Sequence, residues 1–248
     1  MMWAADAVTE LGVTERPFVV DREGDRIPGI LWTPGNVTTP VPLVLIGHGG
    51  SSEKRNPNGL ALARRIVRHE GMAAAAIDAI DHGERGPIRS DRPNSPEYAA
   101  IWQRPNTFDR MVADWQATLD ALSALPQLSP DRVGYWGLSM GTMLGLPFVA
   151  AEPRIKAAVL GLCSFRGSSA IRGRIEDRHR RDAPNVSCPV QFFVQLDDQQ
   201  FDADGAIELF RALGTADKRL IAYPGLHAEM PPEGAEASRS FLAGRLKA

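Results

Sequence analysis

The sequence predicts an α/β protein whose sheet is mostly parallel, twisted and covered by helices on both faces. The first observation is that short apolar runs ending at glycine alternate with segments of helical spacing along most of the chain. The second is that these apolar runs are continuous, which is typical of strands buried on both faces. The third is length, because 248 residues can form one domain with a large core. We therefore expect residues 1–248 to form a single domain with a sheet of about eight strands.

The N-terminal part of the sheet is expected to be antiparallel, because its first two strands have no helix between them. These strands are predicted over 16–21 and 27–34, on either side of the turn-forming residues REGD. A buried strand is predicted over 43–46 and a helix over 58–69. The stretch 72–80 is rich in alanine, but its place after a helix and before a His-Gly pair favours a buried strand.

From residue 105 onward helices and strands mostly alternate. An amphipathic helix is predicted over 105–125 and ends before a proline. The seven segments that follow are predicted to be strand RVGYWG, helix MGTMLGLPFVAAE, strand IKAAVLGL, strand PVQFFVQL, helix ADGAIELFRALG, strand KRLIAYPG and helix EGAEASRSFLAGRLK. Gly214 at the end of the fifth of these segments is a typical C-terminal stop of a helix.

Two segments interrupt this alternation, at 83–105 and 164–184. The first is rich in proline and arginine, the second contains a cluster of arginines, and both follow the ends of predicted strands. In open α/β sheets, ligands bind beyond the carboxyl ends of the strands. The two segments are therefore candidates for the walls or the lid of a site.

The composition indicates an ordinary globular protein and excludes several classes of function. A net charge of -2 gives no electrostatic sign of nucleic acid or of an anionic membrane, and no apolar run could span a bilayer. The N-terminus lacks a secretory signal, and Cys163 and Cys188 match neither a disulfide framework nor a zinc pattern, so we expect a cytoplasmic protein. No metal, nucleotide or dinucleotide motif is present, so no cofactor is expected. A homodimer is left open.

Ser139 is the candidate nucleophile. The residues GLSMG around it match G-x-S-x-G, with a predicted strand before the motif and a predicted helix after it. A sharp turn from strand to helix exposes the serine hydroxyl, and the flanking Gly137 and Gly141 let neighbouring backbone pass. The alternative reading is a turn of small residues without chemistry.

A serine hydroxyl needs a base, and the base needs an orienting carboxylate. In this strand-turn-helix arrangement the two partners follow the serine, the carboxylate first and the histidine second. His179 follows Ser139 but lies in the charged stretch EDRHRRD, which indicates a solvated surface. His227, just after the last predicted strand, is therefore the expected base. The carboxylate should follow PVQFFVQL, where the available residues are Asp197, Asp198 and Asp202.

The chain resembles the α/β-hydrolase superfamily, and within it the serine hydrolases that are similar to dienelactone hydrolase. The resemblance runs from about Pro17 to the last helix and rests on PLVLIGHGG, AAIDAIDHGERG, GLSMG, CPVQFFVQLDDQQF and YPGLH. It implies an α/β-hydrolase fold. The family motif G-x-x-D-x-x-V implies that Asp198 is the catalytic carboxylate, with Gln195 in place of the glycine, Phe201 in place of the valine and Asp197 as the alternative. Dienelactone hydrolases use a cysteine nucleophile, so the serine here argues against that particular activity.

The resemblance also implies an oxyanion hole made of two backbone N–H groups. One is expected from Met140, the residue after the nucleophile. The other is expected from the His-Gly loop, with Gly50 as the first choice and Gly49 and Ser51 as alternatives. His48 in this loop, and His82 further along the chain, are expected to be structural hydrogen-bonding residues, with pocket lining as the alternative for His82.

These residues predict a serine hydrolase that cleaves a carboxylic ester with a small to medium acyl or aryl group. Gly49, Ser51, Trp102 and Phe165 are the expected substrate contacts, with Tyr98 nearby in sequence. A thioesterase or peptidase would use the same machinery, and a non-catalytic relative would use the pocket only for binding. If the two interrupting segments border the pocket, some of their arginines could hold an anionic group of the substrate. The alternative is a solvated helix face on which Glu176, Asp177 and Asp182 offset the arginines. The arginines concerned are Arg85, Arg89, Arg92, Arg104, Arg166, Arg172, Arg174, Arg178, Arg180 and Arg181.

Overall fold

The computed structural model describes residues 1–88, 95–167 and 174–247, and in this part of the chain ten strands form one sheet. Their order is β1-β3-β4-β6-β5-β7-β8-β9-β10, with β2 paired to β3. Strands β6, β5, β7, β8, β9 and β10 are parallel to one another, whereas all pairs that include β1, β2, β3 or β4 are antiparallel. The strands are β1 (Met2–Trp3), β2 (Val8–Glu10), β3 (Val13–Arg22), β4 (Asp25–Pro34), β5 (Val41–Gly47), β6 (Ala73–Ile77), β7 (Leu128–Gly137), β8 (Ile155–Gly161), β9 (Val190–Gln195) and β10 (Lys218–Tyr223).

The predicted α/β fold with a mostly parallel sheet is confirmed. The strand count exceeds the prediction by the two shortest strands, β1 and β2, which pair with β3 at the antiparallel edge of the sheet. The alanine-rich stretch is the central strand β6, as predicted, and all five of its residues are buried.

The described helices lie on both faces of the sheet. The predicted helix over 58–69 is α1 followed directly by one π turn over Ile66–Glu70. None of the described helices is long and apolar enough to cross a membrane. The helices are α1 (Pro57–Arg65), α2 (Pro96–Ile101), α3 (Thr107–Ser123), α4 (Met140–Ala151), α5 (Arg174–Asp182), α6 (Ala203–Ala212) and α7 (Pro232–Leu246).

Two apolar cores form because successive residues of a strand point to opposite faces. In β5, Leu43 and Leu45 lie in the core beneath α3, α4 and α6, while Val44 and Ile46 lie in the core beneath α1 and α7. A strand that is buried in this way must be apolar at every position, which explains its continuous apolar run.

The fold brings four loops to one edge of the sheet. Strands β5, β7, β9 and β10 are parallel, so their carboxyl ends meet there. The predicted oxyanion loop follows β5, the predicted nucleophile follows β7, and the predicted carboxylate and base follow β9 and β10. The sheet therefore brings together residues that are up to 179 positions apart, from His48 to His227.

The expectation that His179 lies on a solvated surface is wrong. Its side chain is fully buried, and its Nε2 atom is 3.0 Å from the carbonyl oxygen of Met143 in α4. Ile175, four residues earlier, is also buried, so these residues form the inner face of α5. The charged residues around His179 occupy the outer face of α5, and they give the stretch EDRHRRD its polar sequence.

Candidate active site

The turn between β7 and α4 holds Ser139 in a backbone conformation that is uncommon for a residue with a side chain. Its φ is 57° and its ψ is -122°. A Cβ atom on Gly137 would lie 2.6 Å from the carbonyl oxygen of Gly141, and a Cβ on Gly141 would lie 2.6 Å from that of Gly47. Both glycines of the motif are therefore required by the close packing of backbone around the serine.

Hydrogen bonds to the neighbouring strand β8 fix this turn. The backbone N–H of Ser139 donates to the carbonyl of Gly161 at 3.0 Å. The hydroxyl of Thr142 accepts from the N–H of Gly161 at 2.8 Å and lies 2.7 Å from the carbonyl oxygen of Gly137. These contacts stabilise the strained conformation of the serine.

The side chains of Ser139, His227 and Asp198 form a continuous hydrogen-bonded chain. His227 Nε2 is 2.9 Å from Ser139 Oγ, and His227 Nδ1 is 2.7 Å from Asp198 Oδ2. A carboxylate can only accept, so Nδ1 carries the proton and Nε2 is free to accept from the serine hydroxyl. The side chains of His227 and Asp198 are 11% and 2% exposed, which limits competition from water.

The geometry separates Asp198 from its neighbour Asp197. Asp198 Oδ1 accepts the backbone N–H groups of Gln200 and Phe201 at 2.7 and 3.0 Å, which leaves Oδ2 for His227. Asp197 instead accepts the N–H of Gly225 at 2.9 Å. Asp198 is thus the carboxylate that contacts the histidine, and Asp197 is an anchor between the two loops.

Two glutamines also connect the loop after β9 to the histidine loop. The backbone N–H of His227 donates to Gln199 Oε1 at 3.0 Å. Gln195, which takes the place of the family's glycine, donates from Nε2 to the carbonyl of Leu226 at 3.3 Å. The departure from the family motif therefore adds a contact that holds the residue before His227.

A buried ion pair anchors the predicted oxyanion loop. Lys54 Nζ is 2.6 Å from Asp78 Oδ2, and Asp78 also accepts the backbone N–H groups of Lys54 and Glu84. Burial alone would lower the pKa of Lys54, but its hydrogen bonds to Asp78 and Glu84 outweigh that effect and the pKa is raised. The loop after β5 is thereby tied to the loop after β6.

His48 and His82 make the structural hydrogen bonds expected of them. His48 donates from Nδ1 to the carbonyl of Gly49 at 2.8 Å and accepts the N–H of Ala79 on Nε2 at 3.0 Å. His82 Nδ1 is 2.8 Å from the carbonyl oxygen of Ile80. Burial, with a smaller effect from His82, lowers the pKa of His48 to about 4, so the ring is neutral.

An open cavity of about 650 Å³ lies next to Ser139 and His227. Trp136, Leu138 and Leu162 give it an apolar floor, and one face of α1 forms a wall. The predicted loop residues Gly49, Gly50 and Ser51 line it as well. Met140 is the first residue of α4, so its N–H has no partner within the helix and is available to an oxyanion.

The expectation that Trp102 and Phe165 contact substrate is corrected by the structure. Each side chain is 1% exposed, and neither lines the cavity. Trp102 packs behind Tyr98, while Phe165 is covered by the guanidinium of Arg180, 4.2 Å from the ring centre. Tyr98 is the aromatic residue of this group that reaches the cavity.

The arginines of the two interrupting segments do not line the cavity in the described part of the chain. Their guanidinium groups pair with carboxylates. Arg104, Arg166, Arg180 and Arg181 do so at the surface, as the solvated-face alternative expects, whereas Arg85 forms a buried ion pair. The pairs are Arg85–Asp114, Arg104–Asp81, Arg166–Asp202, Arg178–Asp109, Arg178–Asp182, Arg180–Glu176, Arg180–Glu208 and Arg181–Asp182. Arg89, Arg92, Arg172 and the side chain of Arg174 lie outside the described residues.

Sequence reasoning missed Arg65, which lines the cavity. Asn58, Ala61, Leu62 and Arg65 are spaced by three, four and seven residues, so they share one face of α1. Among the described lining residues, Arg65 alone carries a permanent charge. The helical spacing of this segment was the available signal, but the sequence did not indicate which face of the helix meets the cavity.

No metal centre is indicated in the described residues, since no three His, Cys, Asp or Glu side chains are grouped to hold an ion. Cys163 and Cys188 are buried free thiols, and burial raises the pKa of both, that of Cys188 to about 12. Neither thiol lines the cavity next to Ser139.

The chain belongs to the dienelactone hydrolase family, whose model matches residues 27–237. It is 35% identical to a cold-adapted esterase from an Arctic intertidal metagenomic library, over 99% of this chain and 100% of that one, with a TM-score of 0.88. An acetyl xylan esterase from Paenibacillus sp. R4 shares the fold at 21% identity, over 97% of this chain and 88% of that one, with a TM-score of 0.77. No curated protein matches the chain.

Asp198→Asn is expected to lower kcat far more than Asp197→Asn. Loss of the orienting charge costs about 10⁴-fold in a well-studied triad, because the histidine is held in the wrong tautomer. Asparagine at 197 keeps an oxygen for the N–H of Gly225, so its effect should stay within about tenfold. Steady-state kinetics with one activated ester compares the two variants, and the reverse order would contradict the assignment of the carboxylate.

Stability is expected to fall as the pH is lowered from 7 to 5. Burial lowers the pKa of His48 and of His179 from 6.5 to about 4, so the unfolded chain takes up protons in this range and the folded chain does not. Each histidine should therefore cost about 2 kcal/mol of unfolding free energy over the interval. Urea unfolding at each pH measures this. His179→Gln keeps a donor for the carbonyl of Met143 and should make the unfolding free energy less dependent on pH. An equal pH dependence in the variant and the wild type would contradict the prediction.

Proposed function

We propose that this chain is a serine hydrolase that cleaves carboxylic esters through an acyl-enzyme intermediate. The observation that carries the proposal is the hydrogen-bonded chain from Asp198 through His227 to Ser139, at 2.7 and 2.9 Å. Membership of the dienelactone hydrolase family and likeness to an esterase at 35% identity support the ester-cleaving activity.

In the first half of the reaction, Ser139 Oγ attacks the carbonyl carbon of the ester while His227 Nε2 takes the hydroxyl proton. Asp198 stabilises the imidazolium that forms. The negative charge on the carbonyl oxygen is stabilised by the N–H of Met140 and by one from the loop that contains Gly50. When the intermediate collapses, His227 returns the proton to the departing alcohol.

In the second half, water replaces the alcohol. His227 takes a proton from a water molecule, which attacks the acyl carbon, and the same N–H groups stabilise the second oxyanion. The proton then returns to Ser139 Oγ as the acid leaves. The contact with Asp198 Oδ2 orients the His227 ring and selects the tautomer with the proton on Nδ1, which leaves Nε2 as the acceptor that each half of the cycle needs at its start.

The cavity favours a small to medium substrate. A volume of about 650 Å³ over an apolar floor suits a short acyl or aryl group, and Phe201 beside His227 adds an aromatic contact. A thioester or an amide could react by the same steps. A panel of matched esters, thioesters and amides distinguishes these activities, and the proposal requires the highest kcat/KM for esters.

Ser139→Ala is expected to abolish ester hydrolysis and leave the fold intact. Removing a triad serine typically costs many orders of magnitude in kcat, and we expect a loss of at least about 10³-fold. The measurement is turnover of an activated ester, with circular dichroism and the melting temperature as controls of folding. Turnover near that of the wild type would show that ester hydrolysis does not need Ser139, and would contradict the proposal.

Arg65→Gln is expected to weaken the hydrolysis of anionic esters selectively. Arg65 is the charged residue of the described cavity wall, so an anionic group there gains a charge-assisted hydrogen bond. We expect about a tenfold lower kcat/KM for a carboxylate-bearing ester at low salt, little change for its neutral counterpart, and a smaller difference at high salt. The control is Arg64→Gln, because Arg64 faces Glu10 and does not line the cavity. Equal effects on both esters would contradict the prediction.

A further inference from the structure

Tyr98 is the part of segment 83–105 that reaches the cavity, and its position is fixed from two sides. Its backbone N–H donates to Ser95 Oγ at 3.2 Å, at the start of α2. Its ring lies edge-on to His82 and to Trp102, with ring centres 5.9 Å apart in both cases. Both neighbours are fully or almost fully buried, so their packing positions the phenol ring.

The hydroxyl of Tyr98 lies directly against the loop after β5. A Cβ atom on Gly50 would be only 2.6 Å from the hydroxyl oxygen and 3.1 Å from the ring carbon that bears it. Gly50 is the residue proposed to supply an oxyanion N–H, and Tyr98, Gly50 and Ser139 line the same cavity. The phenol therefore lies beside the proposed oxyanion donor, in the cavity that contains Ser139.

The Tyr98 hydroxyl keeps its proton and has it available. Burial raises its pKa to about 12, and the nearby indole N–H of Trp102 opposes the rise. An indole N–H can only donate, so it does not use the proton of the phenol. No acceptor in the described part of the chain is hydrogen bonded to this hydroxyl, and the bond to Ser95 uses the backbone N–H.

We propose that Tyr98 is a further catalytic residue, whose hydroxyl donates a hydrogen bond to the ester oxygen that becomes the oxyanion. The proposal rests on the proposed esterase function. As Ser139 Oγ bonds to the carbonyl carbon, the π electrons of the C=O bond move onto the oxygen and the serine proton passes to His227. Tyr98 donates to that oxygen and keeps its own proton throughout, and the bond weakens again when the C=O bond re-forms and the alcohol leaves.

The test is Tyr98→Phe, which removes one oxygen atom and keeps the ring contacts with His82 and Trp102. We expect kcat to fall by about tenfold to a hundredfold, because an oxyanion donor acts on the transition state, while KM changes less than about twofold. Affinity for a trifluoromethyl ketone, which forms a tetrahedral oxyanion on the serine, should weaken by the same factor as kcat/KM. Tyr223→Phe is the matched control, since it removes a phenol oxygen outside the cavity lining.

Each outcome decides the proposal. Unchanged kcat in a folded Tyr98→Phe variant would overturn it and leave the esterase function standing, as would a change in KM alone. Slower turnover without weaker binding of the ketone would also overturn it. A donor to the oxyanion must stabilise the tetrahedral adduct of the ketone as well as the transition state. If the wild type hydrolyses no ester and matches Ser139→Ala, the proposed function itself fails and the role of Tyr98 fails with it.

Discussion

The close approach of backbone at Gly141 is the constraint on which the site depends. At this point the start of α4 meets the end of β5, so closely that a Cβ on Gly141 would lie 2.6 Å from the carbonyl oxygen of Gly47. The contact fixes the turn that carries Ser139 relative to the loop that begins at His48. A strained residue costs on the order of 1–3 kcal/mol, and the hydrogen bonds of Thr142 and Ser139 to Gly161 offset that cost. The nucleophile and the proposed oxyanion donors thus have fixed relative positions before the substrate binds.

The second half of the site depends on the register of β9 and β10. Gln195 and Tyr223, the last residues of these parallel strands, lie opposite each other, so the two loops begin side by side. Asp198 and His227 follow three and four residues later and meet at 2.7 Å. Contacts from Asp197, Gln199 and Gln195 tie the loops together along their length. The position of the base therefore depends on several weak contacts, in contrast to the tightly packed serine turn.

The sequence predicted the parts of this molecule that follow from periodicity and motif. Continuous apolar runs identified the buried strands, and G-x-S-x-G between a strand and a helix predicted the sharp turn that holds Ser139. The structural relation of Asp198 and His227 agrees with the family motif, although sequence alone left Asp197 open because both carboxylates follow the same strand.

The sequence could not predict which side of a segment faces the cavity. Tyr98 and Trp102 are four residues apart, and only the packing of α2 shows that the first lines the site while the second is buried. His179 lies among charged residues, yet one buried face of α5 contains it. Arg65 lies on a helix with several arginines, and its position on the cavity wall depends on how α1 sits on the sheet. These features are set by tertiary packing and leave no local pattern.

Covalent labelling of the folded protein with a fluorophosphonate tests the central claim most directly, because the reagent reacts with a serine that a histidine has activated. Intact mass and peptide mapping measure the product. The account predicts that the wild type gains one label, located at Ser139, and that Asp198→Asn reacts far more slowly. A folded wild type that stays unlabelled, or carries the label at another residue, would contradict the account.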